Sequence, residues 1–221
     1  MRIVVLGASG GCGRQLVTQG VAAGHSVVAV GRATSELPEA DGVDVVRGDL
    51  ADPVFLASAF EGADAVLLAV GFRLAGLGVW NRPKDPDFLR QCAGATVEAA
   101  RTSGVRRLMA ISAGGAGDSY VQMPWIFRTF IQTTSMRHVY PELGKMEAVF
   151  LESGLDVCLP RPSGLTDGPV TGRVTRATSY AGRATISRAD VAAWMLEQLQ
   201  EASFPYQSPL ITETGAAGAE S

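Results

Sequence analysis

The chain begins MRIVVLGASGGCGRQLV, and the segment GASGGCG (residues 7–13) constrains the fold more than any other. Gly7, Gly10 and Gly13 recur every third residue, directly after an apolar run and ahead of a segment of helical period. Such a turn lets a strand pass into a helix with its backbone laid bare. The helix N-terminus then presents free amides and positive dipole to an anion. Gly11, Ser9 and the backbone N–H of Cys12 complete the candidate cradle. Glycine-rich strand–helix turns also occur without any ligand, so the turn carries weight only inside a βαβ unit.

That unit is present. Short valine-rich runs recur at 3–6 (IVVL), 26–30 (SVVAV), 43–46 (VDVV), 65–70 (AVLLAV), 107–112 (RLMAIS) and 156–159 (DVCL). Continuous rather than alternating apolar runs mark strands buried on both faces, as in a parallel sheet. Segments of helical period separate most of them, and Gly13, Leu16, Val17, Gly20 and Val21 form one stripe. Asp52-Pro53 and Asp85-Pro86 read as helix starts, the second opening a helix that ends near Ser103-Gly104. Ser187 to Asp190 resembles a capping box. The expected class is α/β, a doubly wound parallel sheet in a single domain over 1–212, with a disordered tail at 213–221.

Composition narrows the function classes. A net charge of −3 gives no footprint for nucleic acid or an anionic membrane, and no apolar run nears the ~20 residues of a bilayer span. The chain enters a strand at once, without the pattern of a signal peptide, and a cytoplasmic location is expected. Cys12, Cys92 and Cys158 are too scattered for a disulfide framework or zinc site, and His25 and His138 lie far apart, so no metal site is expected. Oligomeric state stays open between monomer and homodimer.

The second strand ends VVAVGR. Where an NAD-binding chain places an acid for the ribose hydroxyls, this one has Gly31-Arg32. Arginine pairs bidentately with a 2′-phosphate, which favours NADP (NADPH) over NAD, with a solvated arginine as the alternative. Arg73 follows the fourth strand at the carboxyl edge and offers a cation to substrate or cofactor, unless it is merely solvated.

GASGGCG, GR, GDLAD (48–52), LAVG (68–71), SAGG (112–115) and SGLDVCLPRPSGLTDGPVTGRV (153–174) together resemble the atypical short-chain dehydrogenase/reductases. The nearest group is the NAD(P)H-binding one that includes flavin reductase (biliverdin-IXβ reductase) and NmrA-like proteins. The resemblance covers Met1 to about Leu199 and implies a Rossmann fold. It implies that Asp49 and Leu50 flank an adenine, that Val70 and Gly71 line the cofactor path, and that Ser112 sits beside the nicotinamide. Pro160, Arg161 and Pro162 would lie near its carboxamide. Members of the group reduce flavins or tetrapyrroles, act on other small molecules, or only sense NADP.

Short-chain dehydrogenases place a tyrosine four residues before a lysine, roughly 40° apart around one helix. In RHVYPELGK the pair Tyr140 and Lys145 is five apart, or roughly 140°, and Pro141 holds the fourth position. Proline suits the first helical position, so a helix is expected to begin at Pro141 with Tyr140 in the loop before it. Lys145, one of two lysines in the chain, is the stronger candidate for a cofactor contact. Ser112, a water or no group at all would then supply the proton. A flavin or quinone takes hydride without a positioned acid, whereas a ketone needs one.

Residues at about 116–140 carry Tyr120, Trp125, Phe127 and Phe130, a density suited to a lid over a flat small-molecule substrate. Packing of those rings on the core or a second subunit is the alternative. The leading expectation is an NADPH-dependent reductase of a small flat acceptor. A non-catalytic NADP sensor and a non-redox isomerase or cyclase are the other readings.

Overall fold

The computed structural model describes residues 1–71, 83, 85–179 and 184–213. Six parallel strands form the central sheet in the order β3-β2-β1-β4-β5-β6. These are β1 (Arg2–Leu6), β2 (Ser26–Gly31), β3 (Val43–Arg47), β4 (Ala65–Leu68), β5 (Arg107–Ala110) and β6 (Asp156–Cys158). All six apolar runs of the sequence are strands, and the order reverses at β1, between β2 and β4. Val4 pairs in register with Val28 on one side and Val66 on the other.

Because strand side chains alternate between faces, one apolar run feeds two cores. Val4, Leu6, Val66 and Leu68 face the helices α2 (Pro53–Ala59), α3 (Phe88–Ser103) and α5 (Met136–Leu151). Ile3, Val5, Ala65 and Leu67 face α1 (Gly11–Ala22) and α6 (Arg188–Gln198). The fold is thus doubly wound and of Rossmann type. Among the described residues, no helix is long and apolar enough to cross a membrane.

Local signals place several helix ends. Asp52 caps α2, its Oδ1 accepting from the N–H groups of Val54 and Phe55, with Pro53 first in the helix. Gly104, at φ 77°, ends α3 in the left-handed region. Ser187 Oγ accepts from the Asp190 N–H and caps α6.

Three expectations need correction. The helix foreseen at Pro86 begins at Phe88, because Asp85 Oδ1 takes the Asp87 N–H in a local turn of its own (3.1 Å). The helix foreseen at Pro141 begins at Met136, with Tyr140 and Pro141 inside it. Proline there forgoes one backbone bond, but Leu143, Met146 and Phe150 on the same helix are buried in the core, and that burial outweighs the lost bond. The tail boundary also shifts. Glu213 is the last residue of β11 (Leu210–Glu213), and 214–221 lie outside the described residues.

Beyond β6 the chain adds short strands that no periodicity announced. These are β7 (Arg161–Pro162), β8 (Gly164–Thr166), β9 (Val174–Ala177) and β10 (Thr185–Ser187). β11 pairs parallel with β7 and antiparallel with β9, while β10 pairs with β8. A 3-10 turn (Gly117–Gln122) and α4 (Trp125–Thr133) lie between β5 and α5.

Candidate active site at the carboxyl edge of the sheet

The glycine turn follows β1 at its carboxyl end. Gly7 adopts φ +78°, and a Cβ there would meet the Ala69 carbonyl oxygen at 2.7 Å. A Cβ on Gly13 would collide with the Gly7 carbonyl oxygen. Both positions therefore require glycine, one for its dihedral and one for close approach. The N–H groups of Gly7 and Ala8 both donate to Val30 O, tying the turn to β2. Gly10 is the N-cap of α1, whose first turn carries no acidic residue. Its leading amides have no intrahelical acceptor and form a cradle fitted to a diphosphate.

Cys12 lies in that first turn, buried. Burial pushes its thiol up to about 11, against a weaker downward pull from Arg188. It stays protonated at neutral pH and has its backbone N–H to offer. Arg14 Nε donates to the Ser9 carbonyl oxygen (3.1 Å), and Arg14 Nη2 donates to Glu36 O (3.2 Å). Arg14 thus spans from the glycine turn to the loop that begins at Arg32, which is exposed just beyond β2. Arg188 packs over the turn from the start of α6, its Cδ 2.5 Å from where a Gly11 Cβ would sit. Sequence reasoning missed both arginines. Arg14 follows the last motif glycine directly, which was a usable signal. Arg188 comes from the far end of the chain, and spacing does not reveal it.

Along the same edge, Asp49 folds back through Oδ1 to the Ala51 N–H, and Leu50 is buried. Val70 is buried beside Gly7, and Gly71 is exposed, with nothing among the described residues within 4 Å of where a Cβ would stand. Arg73 lies outside the described residues.

Ser112 follows β5. Its N–H donates to Pro160 O (2.9 Å), while its buried Oγ has no hydrogen-bond partner among the described residues. An orphaned hydroxyl at the edge where a ligand would enter fits a group bound there. Tyr140 and Lys145, five apart on α5, bond to different partners. The Tyr140 O–H donates to Gly114 O (3.3 Å), and burial raises its pKa. Lys145 Nζ donates to Glu142 Oε1 (2.6 Å) and lies 3.6 Å from Asp87 Oδ1. The Glu142 bond raises the lysine's pKa, so it is a cation at neutral pH.

Arg161 turns its guanidinium into the protein. Its Nε and Nη2 donate to Glu147 (2.9 and 2.7 Å), and Nη2 also reaches Asp118 Oδ1 at 2.6 Å. Burial works against the charge, and the two carboxylates outweigh it. Pro160 and Pro162 flank it in backbone contact with the segment after Ser112, Pro162 O accepting from the Gly114 N–H.

A cavity of about 360 Å³ opens between the 3-10 turn, α4 and α5, lined by Gly115, Gly117, Tyr120, Ile131, Arg137 and Tyr140 among others. The aromatic segment expected to form a lid is thus divided. Tyr120 and Ile131 face the cavity, whereas Trp125 and Phe130 do not line it and are exposed. Among the described residues, no group of three or more His, Cys, Asp or Glu side chains is placed to hold a metal.

The family described as NAD(P)H-binding matches residues 7–202. An uncharacterised sugar epimerase of Bacillus subtilis, YhfK, is 29% identical over 91% of this chain and 89% of its own. An uncharacterised chloroplast protein of Arabidopsis thaliana is 28% identical over 92% and 74%. Among solved structures, the anaerobilin reductase ChuY of Escherichia coli O157:H7 superposes with a TM-score of 0.77 at 23% identity, covering 99% of this chain and 100% of its own. A putative NAD-dependent epimerase/dehydratase of Bacillus halodurans gives 0.72 at 25% identity, over 98% and 95%. The glycine turn, the switch in strand order at β1 and these likenesses agree with a Rossmann-type dinucleotide-binding fold. The chain belongs to the NAD(P)H-binding family.

Proposed function

We propose that this protein is an NADPH-dependent reductase that passes hydride to a small, flat, conjugated acceptor such as a flavin or quinone. The observation that carries the acceptor class is that Tyr140 and Lys145 each bond to another partner, Gly114 O and Glu142, from positions five apart on one helix. A ketone reductase needs an acid within reach of the nascent alkoxide, whereas a conjugated ring accepts hydride and gains its proton from water. The bound dinucleotide would supply the hydride. The chain supplies the glycine cradle for its diphosphate, the Ser112 hydroxyl at the reacting edge, and a cavity whose Tyr120, Ile131 and glycine walls suit an apolar ring. ChuY, an anaerobilin reductase of the same fold, is a precedent for reduction on this scaffold.

The preference for NADPH rests on Arg32, with Arg14 bonded to Glu36 O in the loop that follows it and no acid at the end of β2. In steady-state assays NADPH should be consumed with flavin or quinone acceptors, and NADPH should bind more tightly than NADH. Arg32→Glu should reverse that order in a fluorescence titration. Equal affinities in the unaltered protein would remove the case for NADP. Tight binding without turnover would instead favour a sensor, and substrate conversion without net NADPH consumption an isomerase of the kind YhfK's name suggests.

A further inference from the structure

We infer that Arg188 is a diphosphate-binding residue, held in reserve by Asp167 until the dinucleotide's diphosphate displaces that carboxylate. The inference rests on the family's cofactor binding at the glycine turn and adds a residue from the opposite end of the chain. Arg188 is the first residue of α6, and its stem lies across Gly11, the first residue of α1. A Cβ at Gly11 would stand 2.5 Å from Arg188 Cδ and 2.9 Å from Nε, so the glycine makes room for the arginine as well as for a ligand. The N-terminus of α1, with no acidic residue in its first turn, and a guanidinium therefore meet at one spot, an arrangement suited to holding an anion.

Among the described residues, Arg188's one salt bridge is to Asp167, Nη1 to Oδ1 at 2.7 Å. That aspartate side chain is 88% exposed while the arginine's is 30% exposed. An exposed carboxylate is a weak partner and yields readily to a dianionic group that also receives the α1 amides. Both charges act on the Cys12 thiol, which places both within electrostatic reach of the first turn. The loop carrying Asp167 is anchored a few residues on, where Asp190 of α6 accepts from the N–H groups of Thr171 and Gly172 (2.8 and 3.0 Å). Arginine, loop and turn are thereby held in register while the Asp167 side chain is left to move.

The test is a set of binding titrations with NADPH and NADH on the intact protein. Because the diphosphate is common to both, Arg188→Gln should weaken both by the same factor, about ten-fold or more. Arg188→Lys should recover part of the loss. Asp167→Asn removes a competing anion and should tighten both up to about five-fold. In the Arg188→Gln background, Asp167→Asn should have no effect. Unchanged affinities in Arg188→Gln would overturn the inference, as would weaker binding in Asp167→Asn. Absence of dinucleotide binding in the unaltered protein would instead sink the cofactor reading itself.

Discussion

Tyr140 and Lys145 show how far a side chain's role depends on what it already touches. Tyr140→Phe removes a hydroxyl whose bond is to a backbone carbonyl, and keeps the ring on the cavity wall. Turnover of a flavin or quinone should therefore stay within about ten-fold of the unaltered protein, against the ~10²–10⁴-fold loss expected on removing a working acid. Lys145→Ala should cost more, since it strips the Glu142 carboxylate, buried and with Oε2 already unpartnered among the described residues, of its cation. The reverse order in kcat would restore the tyrosine as proton donor. At this scale the sequence was readable where chemistry is local. Gly7 and Gly13 are required by their own backbone surroundings, and spacing revealed both. Arg14 and Arg188 act through contacts that only folding creates, Arg188 with a glycine some 177 positions earlier (188 minus 11).

Helices and strands were legible in proportion to how local their causes are. Strands β1, β2, β4 and β5 were visible because burial on both faces leaves an unbroken apolar run, and α2 because Asp52-Pro53 caps it in place. The start of α5 was not legible, since the proline rule concerns one backbone bond while the helix is held by a whole buried face. β7 and β11 escaped for another reason. Each is short, and each exists only through pairing such as Leu210 with Arg161. The junction of α6 with the loop before β9 yields a pH prediction. Burial of Asp190 favours its neutral form, but hydrogen bonds from Thr171, Gly172 and Ser187 outweigh it and lower the pKa. A depressed folded pKa contributes stability that is present above the unfolded value of ~3.9 and is lost as pH falls through the lower folded one. Thermal melts should show Asp190→Asn well below the unaltered protein at about pH 7, with the gap closing toward about pH 2. A gap independent of pH would rule out the carboxylate as its source.

Across the whole molecule, the sheet divides the interior into two apolar cores, and both bury cysteine. Cys92 lies in one, and Cys12 and Cys158 in the other. Burial raises Cys92 and Cys158 to about 12 and Cys12 to about 11, so none is a thiolate at neutral pH. Quinones alkylate thiolates, and a protein handling such acceptors gains from having none to offer. The same seclusion makes the sulfurs reporters of breathing motions. Maleimide should label Cys92 and Cys158 only when the sheet's layers part, at rates that track opening free energy and rise with urea. Labelling of both within seconds in native buffer would contradict this. Cys12, in the first turn of α1 and the least buried of the three, should label first, and a bound dinucleotide should slow it. The three thiols would then report, from one chain, ligand occupancy at the glycine turn and cohesion on each side of the sheet.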